Sequence, residues 1–173
     1  MKKNIHISNV ERNMDENELI VSKTDLKGII TYGNEVFCNI SDYKLSDVLG
    51  KPHNIVRNPN MPRCMFKLIW DTLGKGDEIF AYVINAGKNG DHYWVLAHIT
   101  PNFDDNNEIT GYHSSRRNPS TSAVSYIKDL YSTLLKEENK ESTEKKATDA
   151  GFNKLSSILN EKGVNYEEFV LSL

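Results

Sequence analysis

Apolar and polar positions fall into short blocks along the first two thirds of the chain, and the period of each block predicts its element. Glu18–Thr24 is rich in apolar and β-branched residues and reads as a strand. Asp25-Leu-Lys-Gly28 has turn chemistry, and Gly28–Tyr32 reads as the returning strand of a hairpin over residues 18–32. Asn34 can cap a helix through Ile40, with Val36 and Phe37 as core candidates. A helical turn, Leu45–Leu49, stops at Gly50. Met65, Phe66, Leu68, Ile69 and Leu73 recur at helical spacing before Gly74-Lys-Gly76. Two long strands follow, Glu78–Ala86 and Asp91–Thr100, joined by a turn in which Asn89-Gly90 is a strong hairpin signal. Asp104–Asn107 turns the chain again, and Glu108–Ser115 is a last strand. Two strands, short helices, one longer helix and three meandering strands predict an α+β fold, an antiparallel sheet with helices on one face.

The remaining third is helical. Val124, Ile127, Tyr131 and Leu134 give residues 120–136 one narrow apolar stripe, suited to a partner helix or to the outer face of the sheet. Two heptads are too few to specify a coiled coil. Residues 137–150 are charged and almost without apolar positions, which predicts a solvated linker or helix extension. Residues 151–173 hold two small helices, Phe152–Asn160 and Tyr166–Leu173. Gly163 ends the first, and Asn165 with Glu168 makes a capping-box start for the second. The pair is too small to bury its stripes alone, so it must dock on the domain, a second copy or another protein. Residues 1–17 are polar with scattered Ile5, Ile7 and Val10 and read as a cap on the folded region 18–119.

The segment Lys51–Pro62 stands apart. Pro52, Pro59 and Pro62 break any long helix, while Ile55 and Val56 favour burial. A short helical turn pressed on the core satisfies both demands. Arg57, Asn58 and Asn60 then sit on backbone with few shapes to choose from, which preorganises their polar groups for a ligand, a partner or the fold's own carbonyls.

Composition narrows the function classes. The chain has 173 residues, a net charge of −3, 38% hydrophobic residues and a mean hydropathy of −0.55. No apolar run approaches the roughly 18 residues of a membrane span, and Met1-Lys-Lys-Asn leads into no signal-peptide core, so a cytoplasmic location is expected. The absence of a basic stripe argues against nucleic acid. Cys38 and Cys64 show no metal-type spacing and read as reduced, small apolar residues. No nucleophile–base pairing, phosphate loop or metal-ligand spacing stands out, and no enzyme activity is expected.

The stretch TDLKGIITYGNEVFCNISDYKLSDVLGKPHNIVRNPNMP, with KNGDHYWVLAHITP and GYHSSRRNP, resembles the PAS domain of Aer-type energy-taxis sensors and their short soluble, CetB-like relatives, over residues 18–119. The resemblance implies a five-stranded antiparallel sheet whose helices cup a pocket. It implies FAD in that pocket, a redox-sensing role, and signalling to a membrane-bound methyl-accepting chemotaxis-type transducer. A homodimer through the N-terminal cap and C-terminal helices is a further expectation. Arg57 matches the family's flavin-associated run, whereas Asn58 and Asn60 replace its His and Asp, and Ile79 stands where the family has Trp. Asn58 and Asn60 keep hydrogen-bonding capacity without charge.

Further cofactor-binding candidates come from the strands. Asn85 lies five residues before Gly90, where light-sensing flavin PAS domains also place a flavin-contacting amide. Period-two alternation puts Val95, Ala97 and Ile99 on one face and Trp94, Leu96 and His98 on the other. The small aliphatic set suits a ligand-facing wall. Tyr112, Ser114 and Arg116 share a face of the last strand and could close a polar pocket end. Two alternatives keep the fold: haem on His53, since histidine can ligate haem iron, or an adaptor with an empty or collapsed pocket that acts through protein contacts.

Overall fold

The computed structural model describes residues 7–173, so the expectation placed on Ile5 lies outside the described residues. Five strands form one antiparallel sheet: β1 (Ile20–Asp25), β2 (Ile30–Gly33), β3 (Ile79–Ala86), β4 (His92–Phe103) and β5 (Ile109–Arg117), in the order β2-β1-β5-β4-β3. Sequence-adjacent hairpins build the two ends, and β5 returns to the middle against β1. Gly90, at φ 92°, supplies the left-handed residue that the tight β3–β4 turn requires.

Between β2 and β3 run α1 (Glu35–Ser41), α2 (Leu45–Val48), a 3-10 turn (His53–Val56) and α3 (Arg63–Leu73). Asn34 caps α1 as its residue type predicts, accepting from the Phe37 backbone N–H, and it also accepts from Val21 N on the neighbouring strand. Phe37, Ile40, Tyr43, Val48 and Val56 pack with Ile20, Ile30, Tyr93, Val95 and Ala97 to form the core on one face of the sheet. Ile69 and Leu73 of α3 close the same face over Ile79 and Ala81.

The opposite face is covered by the C-terminal third. α4 (Thr121–Glu138) lays Val124, Ile127, Tyr131 and Leu134 onto Tyr82, Ile84 and Trp94, so its stripe meets the outer face of the sheet. Tyr131 Oη donates to the Tyr82 carbonyl, and the Trp94 and Tyr131 rings lie 5.9 Å apart. α6 (Tyr166–Leu171) has the complete Asn165–Glu168 capping box and buries Phe169 and Val170 in the same core. The C-terminal helices therefore dock on their own domain.

Of the charged stretch 137–150, expected as a solvated linker or a helix extension, most is helix. The connection is confined to residues 139–143, and α5 (Glu144–Lys162) starts eight residues before Phe152, where the expected helix begins. Lys, Glu and Ala are strong helix formers. The inward positions there are small, Ala147 and Gly151 ahead of Leu155, and they escape a search for large apolar residues. Small residues let α5 lie close against α3 and α4.

Candidate functional site

Strand register defines the inner face. Across β3 and β4, Asn85 stands opposite Tyr93, Val83 opposite Val95 and Ala81 opposite Ala97. Across β4, β5 and β1, Ala97 meets Arg116, which meets Ile20; Ile99 meets Ser114, which meets Ser22. Directly paired residues point the same way, so Asn85, Tyr93, Ser114, Arg116 and Ser22 share the face that carries Val95 and Ala97. Trp94, Leu96 and His98 point outward; Trp94 lies under α4, and His98 stacks on Phe80 at 4.2 Å and bonds Glu78 at 2.6 Å.

This face is apolar in the middle and polar at both ends. At one end Asn85 is 5% exposed, its carbonyl accepting from Asn58 Nδ2 at 3.4 Å while its own Nδ2 is unpartnered. At the other, Arg116 is 4% exposed and donates through Nη2 to Ser22 Oγ at 2.6 Å and His53 Nε2 at 2.8 Å. Among the described residues Tyr93 Oη, Ser114 Oγ and Arg116 Nη1 are buried without a partner. Buried polar atoms are nearly always hydrogen-bonded; among the described residues six side-chain atoms are not, four of them on this face and two, His92 Nδ1 and Trp94 Nε1, off it.

Electrostatics at the second end follow from burial. Burial, reinforced by the Arg116 guanidinium, lowers the His53 imidazole to about 3, and burial lowers Arg116 to about 10. His53 is therefore neutral in the fold near pH 7, and accepting from Arg116 keeps its proton off Nε2. In the unfolded chain it protonates near pH 6.5. Below that value the unfolded state binds a proton that the fold refuses, so stability present above pH 6.5 is lost as pH falls toward 3. The expected loss from this group is at most about 1.4 kcal/mol per pH unit. Urea unfolding of wild type and His53→Gln between pH 7.5 and 5 checks it: the variant's stability should fall less steeply, and parallel curves would remove His53 as the cause.

The proline segment sits above the first end. Arg57 pairs through its backbone with Asn85, and its guanidinium lies 4.1 Å over the Phe66 ring. Asn58 is fully buried: Oδ1 accepts from Asn60 N at 2.9 Å and its carbonyl from Met61 N at 3.1 Å, so its amide shapes the turn and ties it to Asn85. Asn60 and Arg57 stand on the exposed side of that turn. The turn feeds α3, whose cap Pro62 offers no side-chain acceptor. Glu138, from the last turn of α4 and only 4% exposed, fills that role by accepting from Arg63 N at 3.0 Å and Cys64 N at 2.9 Å. Burial and this carboxylate push the Cys64 thiol up and hold it as an inert apolar group.

The family model described as the PAS fold matches residues 30–116, half of the chain. The chain belongs to the PAS family. Over 115 residues this PAS domain is 40% identical to the aerotaxis receptor of Escherichia coli K12, covering 66% of this chain and 22% of the receptor. It is 28% identical over 109 residues to the nitrogen fixation regulatory protein of Klebsiella pneumoniae, covering 63% of this chain and 22% of that protein. The chain thus spans about a fifth of the length of these relatives. A solved structure with the same fold is the light state of the blue-light photoreceptor Aureochrome1 LOV, at TM-score 0.55 and 20% identity over 69% of this chain and 91% of that one.

Within the PAS fold the expected residues separate into groups. Asn85, Val95, Ala97 and Ser114 reach the inner face. Asn58 supports it from behind, and the side chains of Arg57 and Asn60 lie outside it. His53 is drawn to Arg116 and Ser22 rather than packing within its own turn; the adjacent guanidinium opposes an iron cation at Nε2. Tyr93 was reachable by stepping back two residues from Val95. The trio of Ser22, His53 and Arg116 had no local signature.

By chemical type the polar set suits a flavin: amide, hydroxyl and guanidinium groups could pair with a ring's edge, and Val83, Val95 and Ala97 offer an aliphatic wall. Between sheet and helices the space is filled by side chains, with Phe37, Tyr93 and Val95 fully buried. Two clefts of about 380 and 590 Å³ lie elsewhere, one beside α1 at Arg12 and Val36, the other along α4 at Trp94 and Lys128. The chamber expected between lid and sheet is thus closed by side chains here. Among the described residues no group of three or more His, Cys, Asp or Glu side chains could hold a metal, and no helix is long and apolar enough to cross a membrane.

Proposed function

We propose that this PAS domain is a redox sensor in energy taxis, holding FAD against its inner face and signalling to a membrane-bound chemotaxis-type transducer. The observation that carries the reading is the set of unpartnered buried atoms, Asn85 Nδ2, Tyr93 Oη, Ser114 Oγ and Arg116 Nη1, on one face of the sheet. The 40% identity to an aerotaxis receptor supports the same reading. A bound flavin supplies reversible electron uptake, with a change of charge and hydrogen bonding at its ring edge.

The chain's own part is to bind that edge and pass the change outward. Asn85 would present its amide to the ring, and rotation of the amide exchanges a donor for an acceptor. Its carbonyl is held by Asn58 and its backbone by Arg57, so movement there reaches the proline segment and α3. Glu138 joins α3 to α4, the helix on the opposite face. For a partner to read the difference, its affinity for the two states must differ by a coupling of about 1–3 kcal/mol.

A second reading, an adaptor without flavin, is favoured by the closed inner face. A visible absorption spectrum separates the two. Purified protein, or protein mixed with FAD and passed through gel filtration, should retain flavin absorbance, and Asn85→Leu should lose most of it. Wild type that stays colourless after this treatment leaves the adaptor.

A further inference from the structure

Arg116 is a buried cation whose charge no acidic side chain among the described residues neutralises. Its hydrogen-bond partners, Ser22 Oγ and His53 Nε2, are neutral, and the nearest titratable influence on it besides burial is the phenol of Tyr93. No acidic side chain pairs with it among the described residues. The groups facing it from every packed element are apolar or uncharged: Ile20 and Ser22 from β1, Ala97 from β4, Phe37 from α1, and His53 from the turn. The Phe37 ring lies 5.7 Å away, close to the roughly 6 Å limit at which a cation gains from an aromatic face. A buried charge normally has a counter-ion or is replaced by a neutral residue.

Nor does the scaffold need the guanidinium. Ser22 Oγ and His53 Nε2 already lie 3.1 Å apart and satisfy each other without it. Arg116 Nη1 meanwhile has no partner, on the same face as the unpartnered Tyr93 Oη and Ser114 Oγ. Polar atoms built for folding alone would close on one another; these share a face and stay unpaired.

We infer that Arg116 is kept as a counter-charge for the ligand of the inner face, so that the site takes a ring which carries negative charge or gains it on reduction. The identity of that ring rests on the flavin reading; the role of the charge does not. Ser22 and His53 fix the guanidinium in place, so binding is not opposed by its reorientation. With FAD, such a cation favours the reduced, more electron-rich ring over the oxidised one, and Arg116 raises the midpoint potential at which the sensor responds.

The test compares full-length wild type, Arg116→Gln and Arg116→Lys in two measurements. In protein shown by absorbance to be free of flavin, Arg116→Gln should melt higher than wild type by about 3 °C or more, because an uncompensated buried charge is gone. A lower melting temperature, or failure to fold, identifies Arg116 as a structural residue and overturns the inference. In protein loaded with FAD, Arg116→Gln should bind at least tenfold more weakly, and each tenfold loss of preference for the reduced ring should lower the two-electron potential by about 30 mV. Arg116→Lys, which keeps the charge, should retain most of the potential. A higher melting temperature with unchanged affinity and potential also overturns the inference. Wild type that binds no FAD refutes the flavin reading alone, and the ligand-free melting comparison still decides the role of Arg116.

Discussion

Glu138→Ala is expected to lower the free energy of unfolding by about 2–5 kcal/mol. The carboxylate is buried and accepts from two backbone N–H groups at the start of α3, where Pro62 provides no cap. Charge-assisted bonds of this kind are roughly twice as strong as neutral ones. Alanine also strands both donors without water, and each stranded donor costs about 1–3 kcal/mol. Helix propensity cannot offset this, since alanine gains at most a few tenths of a kcal/mol over glutamate. Urea midpoints measure the total, and hydrogen exchange at Arg63 and Cys64 localises it. Both amides should exchange faster, while the β4–β5 ladder keeps its protection relative to the global stability. A loss under about 0.5 kcal/mol would mean that the cap is dispensable. The same substitution bears on signalling: with α3 no longer tied to α4, a change at Asn85 should reach the outer helix less effectively.

Gly111→Ala should be at least as damaging. A Cβ at this position would stand 2.3 Å from the Thr24 backbone oxygen and 3.4 Å from Asp25 Cα. Both contacts are to main chain of β1, which is paired on one side to β2 and on the other to β5. No rotamer change relieves an overlap with backbone, so β5 or β1 must shift, and the register that sets Ser22 beside Ser114 shifts with it. Overpacking alone typically costs about 1–3 kcal/mol; lost pairing along β1 should take the total to about 4 kcal/mol or more, a large fraction of a domain's stability. The expected result is insoluble protein, or a melting temperature lowered by more than 10 °C on the scale of about 2–8 °C per kcal/mol. Gly111→Ala that melts within 2–3 °C of wild type would show that the β1–β5 approach is looser than the register implies.

The two substitutions strike different parts of one arrangement. Gly111 lets β5, which carries Ser114 and Arg116, lie close against β1, and Glu138 joins the helix over the inner face to the helix on the outer one. A sensor needs both: a wall rigid enough to position polar groups, and a connection that leads away from it.

Local chemistry made much of this legible before any coordinates. Asn34 and Asn165 announce helix starts because a short polar side chain satisfies N–H groups within its own turn. Asn89-Gly90 announces the β3–β4 hairpin, and alternation along β4 separates Val95 and Ala97 from Trp94, Leu96 and His98, since a pleated strand turns each side chain opposite to the last. Alternation names a face but not the neighbours across it. Which strand lies beside which, and so what a residue meets, follows from the sheet order that brings β5 against β1. That order unites Arg116 with Ser22, 94 residues away, and with His53, 63 away. Helix docking likewise carries Glu138 to an α3 backbone 75 residues distant. Residue types and spacing thus encode the elements and their buried sides, because those depend on contacts a few residues long. The polar ends of the inner face and the α3–α4 connection arise from packing between distant segments, where the free energy of burying a charge or a carboxylate depends on neighbours that no local pattern records.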